Sequence, residues 1–447
     1  MYLLNFQSAT FLASTAAMAL TIGALSTASR NKELLSPGPM TSGHYQIELR
    51  CDVCHGEEED SIQKACLQCH ADELKKVDDS HPVVKFKDPR NASRLEKIDA
   101  TQCVSCHKEH RPDLTRDMGV TLPEDYCLFC HDNIAEERPT HVGLGFETCA
   151  TAGCHNFHDN SSLYESFLAS HLDEPPHKTG GKVLTNLQDL NHQTTTQQGL
   201  NNTSADMPKD IPVTRDLLND WQASQHAASG VNCSACHTSI QPDTTSTDWK
   251  NEVSIDQCGN CHSFQQESFL SGKHGMRLAE GLSSMKPSIA RLPMKEDASH
   301  LTLNCTVCHE SHRFNTRQAA VESCLKCHDD EHSNAYKDSP HFTAWLNESR
   351  GVAEPGTGVS CATCHMPKVE VNRFGEVFIE VDHNQNNTLR PNEKMIRTVC
   401  IHCHGLQYSL DALADEELIN TNFSSHPTRH VSSLDMVVKE QQRGDKE

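Results

Sequence analysis

Cysteine and histidine carry the chemistry of this 447-residue chain, which holds 22 of the first and 29 of the second. Every cysteine belongs to a pair whose second member is followed directly by histidine. Ten pairs read Cys-x-x-Cys-His. They are Cys51/Cys54/His55, Cys66/Cys69/His70, Cys103/Cys106/His107, Cys127/Cys130/His131 and Cys233/Cys236/His237, then Cys258/Cys261/His262, Cys305/Cys308/His309, Cys324/Cys327/His328, Cys361/Cys364/His365 and Cys400/Cys403/His404. The eleventh, Cys149/Cys154/His155, has four residues between its cysteines. This spacing suits one reaction. Two thiols bond to the two vinyl groups on one edge of a porphyrin, and the next residue swings beneath the iron as its proximal imidazole. One short turn brings both sulfurs to that edge, and a four-residue spacer reaches both vinyls through a wider loop. Eleven covalently bound haem c groups are therefore expected. Disulfide frameworks and zinc ribbons also pair cysteines, but neither requires a trailing histidine, and no cysteine is left over.

The second axial position decides what such sites can do. An iron held by two imidazoles has no open position and passes electrons only, whereas a free sixth position binds substrate. Eleven proximal ligands out of 29 histidines leave 18, so the count permits a second imidazole at every site without requiring one. The expected distal ligands are His44, His81, His110, His141, His158, His226, His274, His312 and His383, each near a motif or in a helix that precedes one. His171, His177, His192, His426 and His430 lie in polar stretches and read as solvent-exposed. His402 sits inside its own haem loop and is not expected to bind that iron. None of the 11 methionines recurs at a fixed place, and Met366 reads as packing.

Haem also explains the composition. Only 36% of residues are hydrophobic and 5% aromatic, a small apolar share for a chain of this length unless porphyrins form much of the core. The expected fold is mainly α with long irregular loops and little β, organised around stacked c-type haems. The formal charge of −22 repels nucleic acid and anionic lipid headgroups and favours basic patches on redox partners. Residues 1–30 read as a signal peptide or N-terminal anchor. The apolar stretch runs from Phe11 to Leu25, with Ser26 and Ala28 as a small-residue cleavage site. No Lys or Arg precedes it, while Arg30 and Lys32 follow, which is the wrong flank for a simple inside-to-outside orientation. Covalent haem attachment takes place after export, so the body is expected in the periplasm, either free or attached to the inner membrane through this segment.

Motif spacing divides the chain. Residues 44–171 carry five motifs, 172–213 form a polar linker or insertion, 214–408 carry six motifs, and 409–447 supply a C-terminal helix and polar tail. Three helices are expected to position histidines. Residues 214–229 have Thr214 or Asp216 as N-cap and Gly230 as stop, 264–282 continue through two glycines, and 409–420 begin on a Ser cap.

With close spacing and the extra His110 in CVSCHKEH, residues 44–171 resemble small cytochromes of the c3/c7 kind. Residues 214–408 resemble the hydroxylamine oxidoreductase-like family, which is related to pentahaem nitrite reductases. That resemblance rests on Trp221, Ser224 and His226 in WQASQH, and on Cys364 to Lys368 in CHMPK. It implies that the haem on Cys258, Cys261 and His262 takes the place of the family's catalytic haem. If that iron were open, His300, His332, Tyr336 and His341 would line its pocket, with His300, His341 and Tyr336 as the catalytic candidates; otherwise His300 or His341 is simply a distal ligand. Two features depart from the family's enzymes: no Cys-x-x-Cys-Lys occurs, and neither Tyr336 nor Tyr408 stands out as a haem crosslink. Three readings follow. The first is a periplasmic electron-transfer protein between a quinol dehydrogenase module, or other cytochromes, and an acceptor. The second is an oxidoreductase that reduces a small nitrogen or sulfur oxyanion in anaerobic respiration, and the third is a structural filament.

Overall fold

Cys, Cys and His at positions i, i+3 and i+4 fall on one face of an α-helical turn, and many of the motifs adopt that turn. Cys51–Cys54, Cys103–Cys106, Cys233–His237, Cys305–His309 and Cys361–His365 are each a single helical turn. The residue ahead of the first cysteine often starts it. Asn304 Oδ1 accepts from Val307 N at 3.0 Å, and Asn232 Oδ1 accepts from Cys233 N at 2.9 Å. Ser360 and Thr363 cap each other reciprocally.

Cys69 and Cys130 depart from the single short α-turn that the spacing predicts. Cys69 is exposed in the interior of a longer helix, Ser61–Lys76, because no Gly or Pro interrupts SIQKACLQCHADELKK. Cys130 follows a 3-10 helix over Glu124–Phe129, and its N–H donates to Cys127 O at 3.2 Å. Three residues per turn still align positions i and i+3, so Cys127 and Cys130 keep to one side.

The structure is a computed structural model. It describes residues 36–56, 61–77, 81–138, 141–143, 157–159, 165–185, 199–238, 248–373, 375–389 and 392–444. The N-terminal apolar stretch, the motif of Cys149, Cys154 and His155, and His192 lie outside the described residues.

The architecture is mainly α with irregular connections, as the composition predicts. Its longer elements are α1 (Ser61–Lys76), α2 (Glu165–Ala169), α3 (Arg215–Gln222), α4 (Ser263–Ser271), α5 (Pro340–Ser349), α6 (Leu406–Leu413) and α7 (Ser433–Gly444). One antiparallel hairpin, β1 (Lys368–Arg373) with β2 (Glu376–Val381), pairs Lys368 with Val381 at its base and Arg373 with Glu376 at its tip. No helix among the described residues is long and apolar enough to cross a membrane.

Chain contacts divide the protein into two compact units. The first comprises Met1–Asp72 and Phe86–Pro123, the second Glu73–Lys85 and Glu124–Glu447. The first holds the motifs of Cys51, Cys66 and Cys103, and among its described residues the buried apolar ones are Met40 and Ile47. The second holds two apolar clusters. Leu168, Ile396, Leu406, Leu410, Val431, Leu434 and Val437 form the larger one, and Val321, Leu325 and Tyr336 the smaller.

Two segments differ from their sequence reading. The C-terminal stretch, expected as a polar tail, buries Leu434 and Val437 of α7 against α2 and α6, because its apolar residues recur at helical spacing. Residues 172–185, expected as part of a linker, lie against the last motif. Lys178 N donates to Cys403 O at 2.8 Å, and a Cβ on Gly181 would stand 2.6 Å from His402 O.

Candidate haem-binding sites

Two imidazoles that bond one first-row metal from opposite sides, each at about 2 Å, place their ring centres about 6 Å apart. Among the described residues, eight trailing histidines stand at that separation from a second histidine. His70 faces His44 at 5.9 Å, and His131 faces His81 at 6.1 Å. His237 faces His312 at 5.9 Å, and His262 faces His226 at 6.0 Å. His309 faces His383 at 6.2 Å, and His328 faces His274 at 6.4 Å. His365 faces His332 at 6.0 Å, and His404 faces His341 at 6.2 Å. Cysteine pairs adjoining such facing imidazoles are the donor set that covalent haem c requires, so the residues present fit the group.

The cysteines of these sites are not equivalent, contrary to the uniform reading of the motifs. Cys69 and Cys130 precede the paired His70 and His131, yet Cys69 is exposed on α1 and Cys130 is only half-buried beyond its 3-10 helix. By contrast, Cys327 is buried. The difference follows from what surrounds each motif: Cys327 follows buried Leu325 by two residues, whereas α1 exposes Ile62 and Leu67 beside its motif.

Local sequence explains how the rings arrive. Thr214 caps α3, accepting from Leu217 N at 3.3 Å, and buried Trp221 donates Nε1 to Val231 O at 3.3 Å. The helix expected over 214–229 then breaks. Ser224 opens a second turn by accepting from Ala227 N at 3.3 Å, and that turn aims His226 at His262. Gly230, at φ 80°, ends it. The helix expected over 264–282 likewise stops at Gly272. A Cβ there would stand 2.7 Å from His383 O, and the break frees His274 to face His328. The hairpin returns the chain so that His383 N donates to Ser268 Oγ at 3.1 Å, with its ring opposite His309. His312 follows its motif in left-handed backbone at φ 69°, and His110 shares that setting at φ 61°.

Burial holds His274, His309, His341 and His365 down to about 4, with neighbouring imidazoles adding to the effect. His226, His312, His383 and His404 are also lowered, again chiefly by burial. A neutral imidazole is the form that offers a lone pair to a metal. The ring nitrogen turned away from the partner is often anchored. His81 Nδ1 meets Phe157 O at 2.5 Å, His332 Nδ1 meets Ile419 O at 2.5 Å, and His237 Nδ1 meets Lys250 O at 2.6 Å. His383 Nδ1 meets Val381 O at 3.0 Å, and His404 Nδ1 meets Pro176 O at 3.2 Å. Such anchors favour one tautomer and direct Nε2 to the metal, although His332 Nε2 also has Asn422 Nδ2 at 3.3 Å.

Carboxylates take part at two places. Glu109 Oε1 is 2.6 Å from His44 Nδ1. Against desolvation, which raises it, hydrogen bonds from His44 and Thr41 hold the Glu109 carboxyl down at about 2. Asp330 Oδ2 lies 3.6 Å from His328 Nδ1. Desolvation opposes ionisation there too, but contacts with His328 and Ser333 keep that carboxyl well below the usual carboxylate range.

Other residues singled out in the sequence are placed differently. His110 directs Nδ1 to Gly38 O at 2.8 Å. His141 is lowered by burial and by the nearby charges of Arg138 and His131. His158 meets the edge of Phe157, which stacks on His81 at 4.3 Å. His171, expected to be exposed, is half-buried, with Nδ1 2.7 Å from Phe167 O, while His177, His426 and His430 are exposed. His177 nevertheless sits beside the last motif, Nδ1 to Nδ1 3.1 Å from His404.

His300, Tyr336 and His341 do not gather around His262. His300 is exposed, Tyr336 is buried with its hydroxyl donating to Val359 O at 2.8 Å, and His341 faces His404. The face of His262 where an open position was considered has His226 opposite it, because the Ser224-capped turn lies directly ahead of the Cys233 motif and folds onto the next one. His332 was read only as a pocket residue, whereas His341 was read as either a pocket residue or a distal ligand, and it faces His404. His332 had a usable signal, since it follows His328 by four residues much as His312 follows His309 by three. The C-terminal region braces it, with Asn422 Nδ2 donating to His332 O at 3.0 Å.

Neighbouring motifs touch in chain order. Cys258 meets the Cys305 thiol, Cys324 meets Cys361, and in the first unit Cys66 meets Cys103. Gln257 Nε2 donates to Ala235 O at 2.7 Å, and Ser323 Oγ donates to Cys308 O at 2.5 Å, which ties further consecutive motifs.

The cytochrome c3 family matches residues 43–132 and 225–329. Cytochrome c-552 of Haemophilus ducreyi is 26% identical over 166 residues, covering 33% of this chain. The match spans 32% of that relative, about a third of its length. No solved structure matches the chain. These likenesses support a multihaem c-type cytochrome with covalently bound haem c.

Proposed function

We propose that this multihaem c-type cytochrome carries eleven haems and serves as a periplasmic electron conduit, with paired histidines holding each iron from both sides. The observation that carries the proposal is the set of eight trailing histidines, each facing a second histidine at 5.9–6.4 Å. When bound, haem c supplies a one-electron Fe(III)/Fe(II) couple. The chain contributes the rest. Its thiols would hold each ring edge, its facing histidines would bind the iron, and backbone carbonyls orient several of those imidazoles through Nδ1. His107 and His55 complete the proximal set in the first unit, with His110 available there through Nε2. Consecutive motifs in contact make the order of sites from Cys233 to Cys361 a continuous route. The charge of −22 favours partners with basic patches, such as a quinol dehydrogenase module or another cytochrome.

The alternative is reduction of a small nitrogen or sulfur oxyanion at an open iron on Cys258, as the resemblance of residues 214–408 to the hydroxylamine oxidoreductase-like family implies. It would need His262 to lack the partner that His226 supplies. Carbon monoxide added to the reduced holoprotein discriminates the two. The conduit reading expects no spectral shift and low-spin resonance from every site. A shift amounting to about one site in eleven would overturn it. His226→Ala serves as the positive control, since it should create one carbon monoxide-binding, high-spin site and leave haem content unchanged. Mass spectrometry of the intact chain and its peptides tests the count, including attachment at Cys69, Cys130, Cys149 and Cys154.

A further inference from the structure

Imidazole ligands are tuned by what accepts their second N–H. A carbonyl oxygen fixes the ring, whereas a carboxylate also pushes negative charge onto it and raises its basicity. The paired rings of this protein fall into both classes. His81, His332, His237, His383 and His404 direct Nδ1 to the carbonyls of Phe157, Ile419, Lys250, Val381 and Pro176. His44 directs Nδ1 to Glu109.

The geometry points to Glu109 as the residue that lowers the reduction potential of the Cys66/Cys69 site, by accepting the Nδ1–H of His44. The contact is short, 2.6 Å to Oε1, in the range of a charge-assisted bond. It is also fixed. Thr41 Oγ1 donates to Oε1 at 2.9 Å and Thr41 N donates to Oε2 at 3.0 Å, and Thr41 itself is buried. The carboxylate therefore cannot swing to solvent without breaking three bonds. With Nδ1 committed, Nε2 is the His44 nitrogen left for a metal, and the ring centres of His44 and His70 are 5.9 Å apart. A more basic ligand favours the more highly charged Fe(III) over Fe(II), so the one-electron couple at this site is displaced downwards. No bond is exchanged in this tuning: the proton stays on Nδ1 and the carboxylate stays ionised. Asp330 makes a graded comparison. At 3.6 Å from His328 it lies outside hydrogen-bond range, and its oxygens are taken up by Ser333 N and Ser333 Oγ. Its influence is correspondingly smaller. Glu109 lies two residues beyond His107, inside CVSCHKEH, so the motif of one site carries the tuning group of its neighbour.

This inference rests on the paired-histidine reading proposed above, and the test keeps the two separate. Spectroelectrochemical titration of the holoprotein, with electron paramagnetic resonance of the same samples, is run on the native chain, Glu109→Gln, Thr41→Val and His44→Ala. Glu109→Gln should move one couple to higher potential and leave the others in place, with haem content and low-spin resonance unchanged. Thr41→Val removes a competing donor and leaves more of the charge to His44, so it should move the same couple to lower potential. A merely structural role would move both variants the same way. That result, or no movement in Glu109→Gln, would overturn the inference. If His44→Ala instead leaves every site low-spin, the pairing of His44 with His70 fails, whatever the potentials do.

Discussion

The two compact units hold together by different means. Among the described residues of the first, the buried apolar side chains are Met40 and Ile47, while Leu49, Ile62, Leu67, Val104 and Leu114 are exposed. Its order comes from helical motif turns and polar clasps such as Thr41–Glu109–His44. The second unit has clusters of its own around Leu406 and around Val321, both fully buried. Protein atoms alone can therefore stabilise part of the second unit, whereas the first depends on its prosthetic groups to supply apolar contact. A chain rich in attachment sites need not distribute its core evenly.

That contrast can be broken in four ways, the largest first. A chain with every attachment cysteine replaced by serine should lose the first unit entirely. Residues around 406–437 should keep slow amide exchange, and equal exchange throughout would remove the distinction. Next, Leu406→Ala leaves a void among Leu168, Ile396 and Leu410 and should cost about 2–5 kcal/mol, read from denaturant melts of the holoprotein. A smaller effect is expected from Gly181→Ala. Its new methyl meets the His402 carbonyl and must push residues 174–181 off the last motif, at about 1–3 kcal/mol, checked by the same melts and by proteolysis at that segment. The smallest is a pH effect. Backbone and side-chain hydrogen bonds from Thr428 hold Asp415 below the usual carboxylate range, and it also caps Glu416–Asn420 through Leu418 N. A carboxyl lowered on folding stabilises fully above its unfolded value of about 4 and loses that contribution as pH falls through its lower folded value. Acid should therefore loosen the turn to Thr428 in the native chain, and Asp415→Asn should abolish that pH step in an exchange measurement.

Attachment chemistry was legible from sequence because it is local: two thiols and an imidazole within five residues need no tertiary information. The setting of each thiol was not, since the exposure of Cys69 and the 3-10 winding ahead of Cys130 depend on what flanks the motif. Six of the paired second histidines were also within reach, His44, His81, His226, His274, His312 and His383, since each lies close to some motif. Which motif each one faces was not legible, because the pairing depends on breaks such as Ser224 and Gly272 that redirect the chain. His332 was read as a pocket residue on the strength of a family likeness, although a histidine just past a motif is itself a ligand signal; His341 was left open between that pocket and a distal ligand. Capping shows the same limit. Thr214 was named correctly, but the helix expected to start at Ser409 begins at Leu406, and Ser409 is buried inside it, bonded to Gly405 O at 2.9 Å. The cap of the following helix is Asp415, which the acidic run had disguised. The buried face of α7 escaped notice because the stretch was judged by composition rather than by period.

The β1–β2 hairpin has a consequence for how the molecule is assembled. By returning His383 to His309, it closes a long ring of chain that contains the Cys324 and Cys361 motifs. A metal joining the two ends of such a ring acts as a clip, removing loop entropy from the unfolded chain much as a distant cross-link does. The attachments on these two motifs involve shorter loops, His332 to His365 inside the ring and His274 to His328 overlapping its start, and are kinetically easier to complete. Maturation of this region is thus expected to proceed from small loops to the large one, with the hairpin as its final latch.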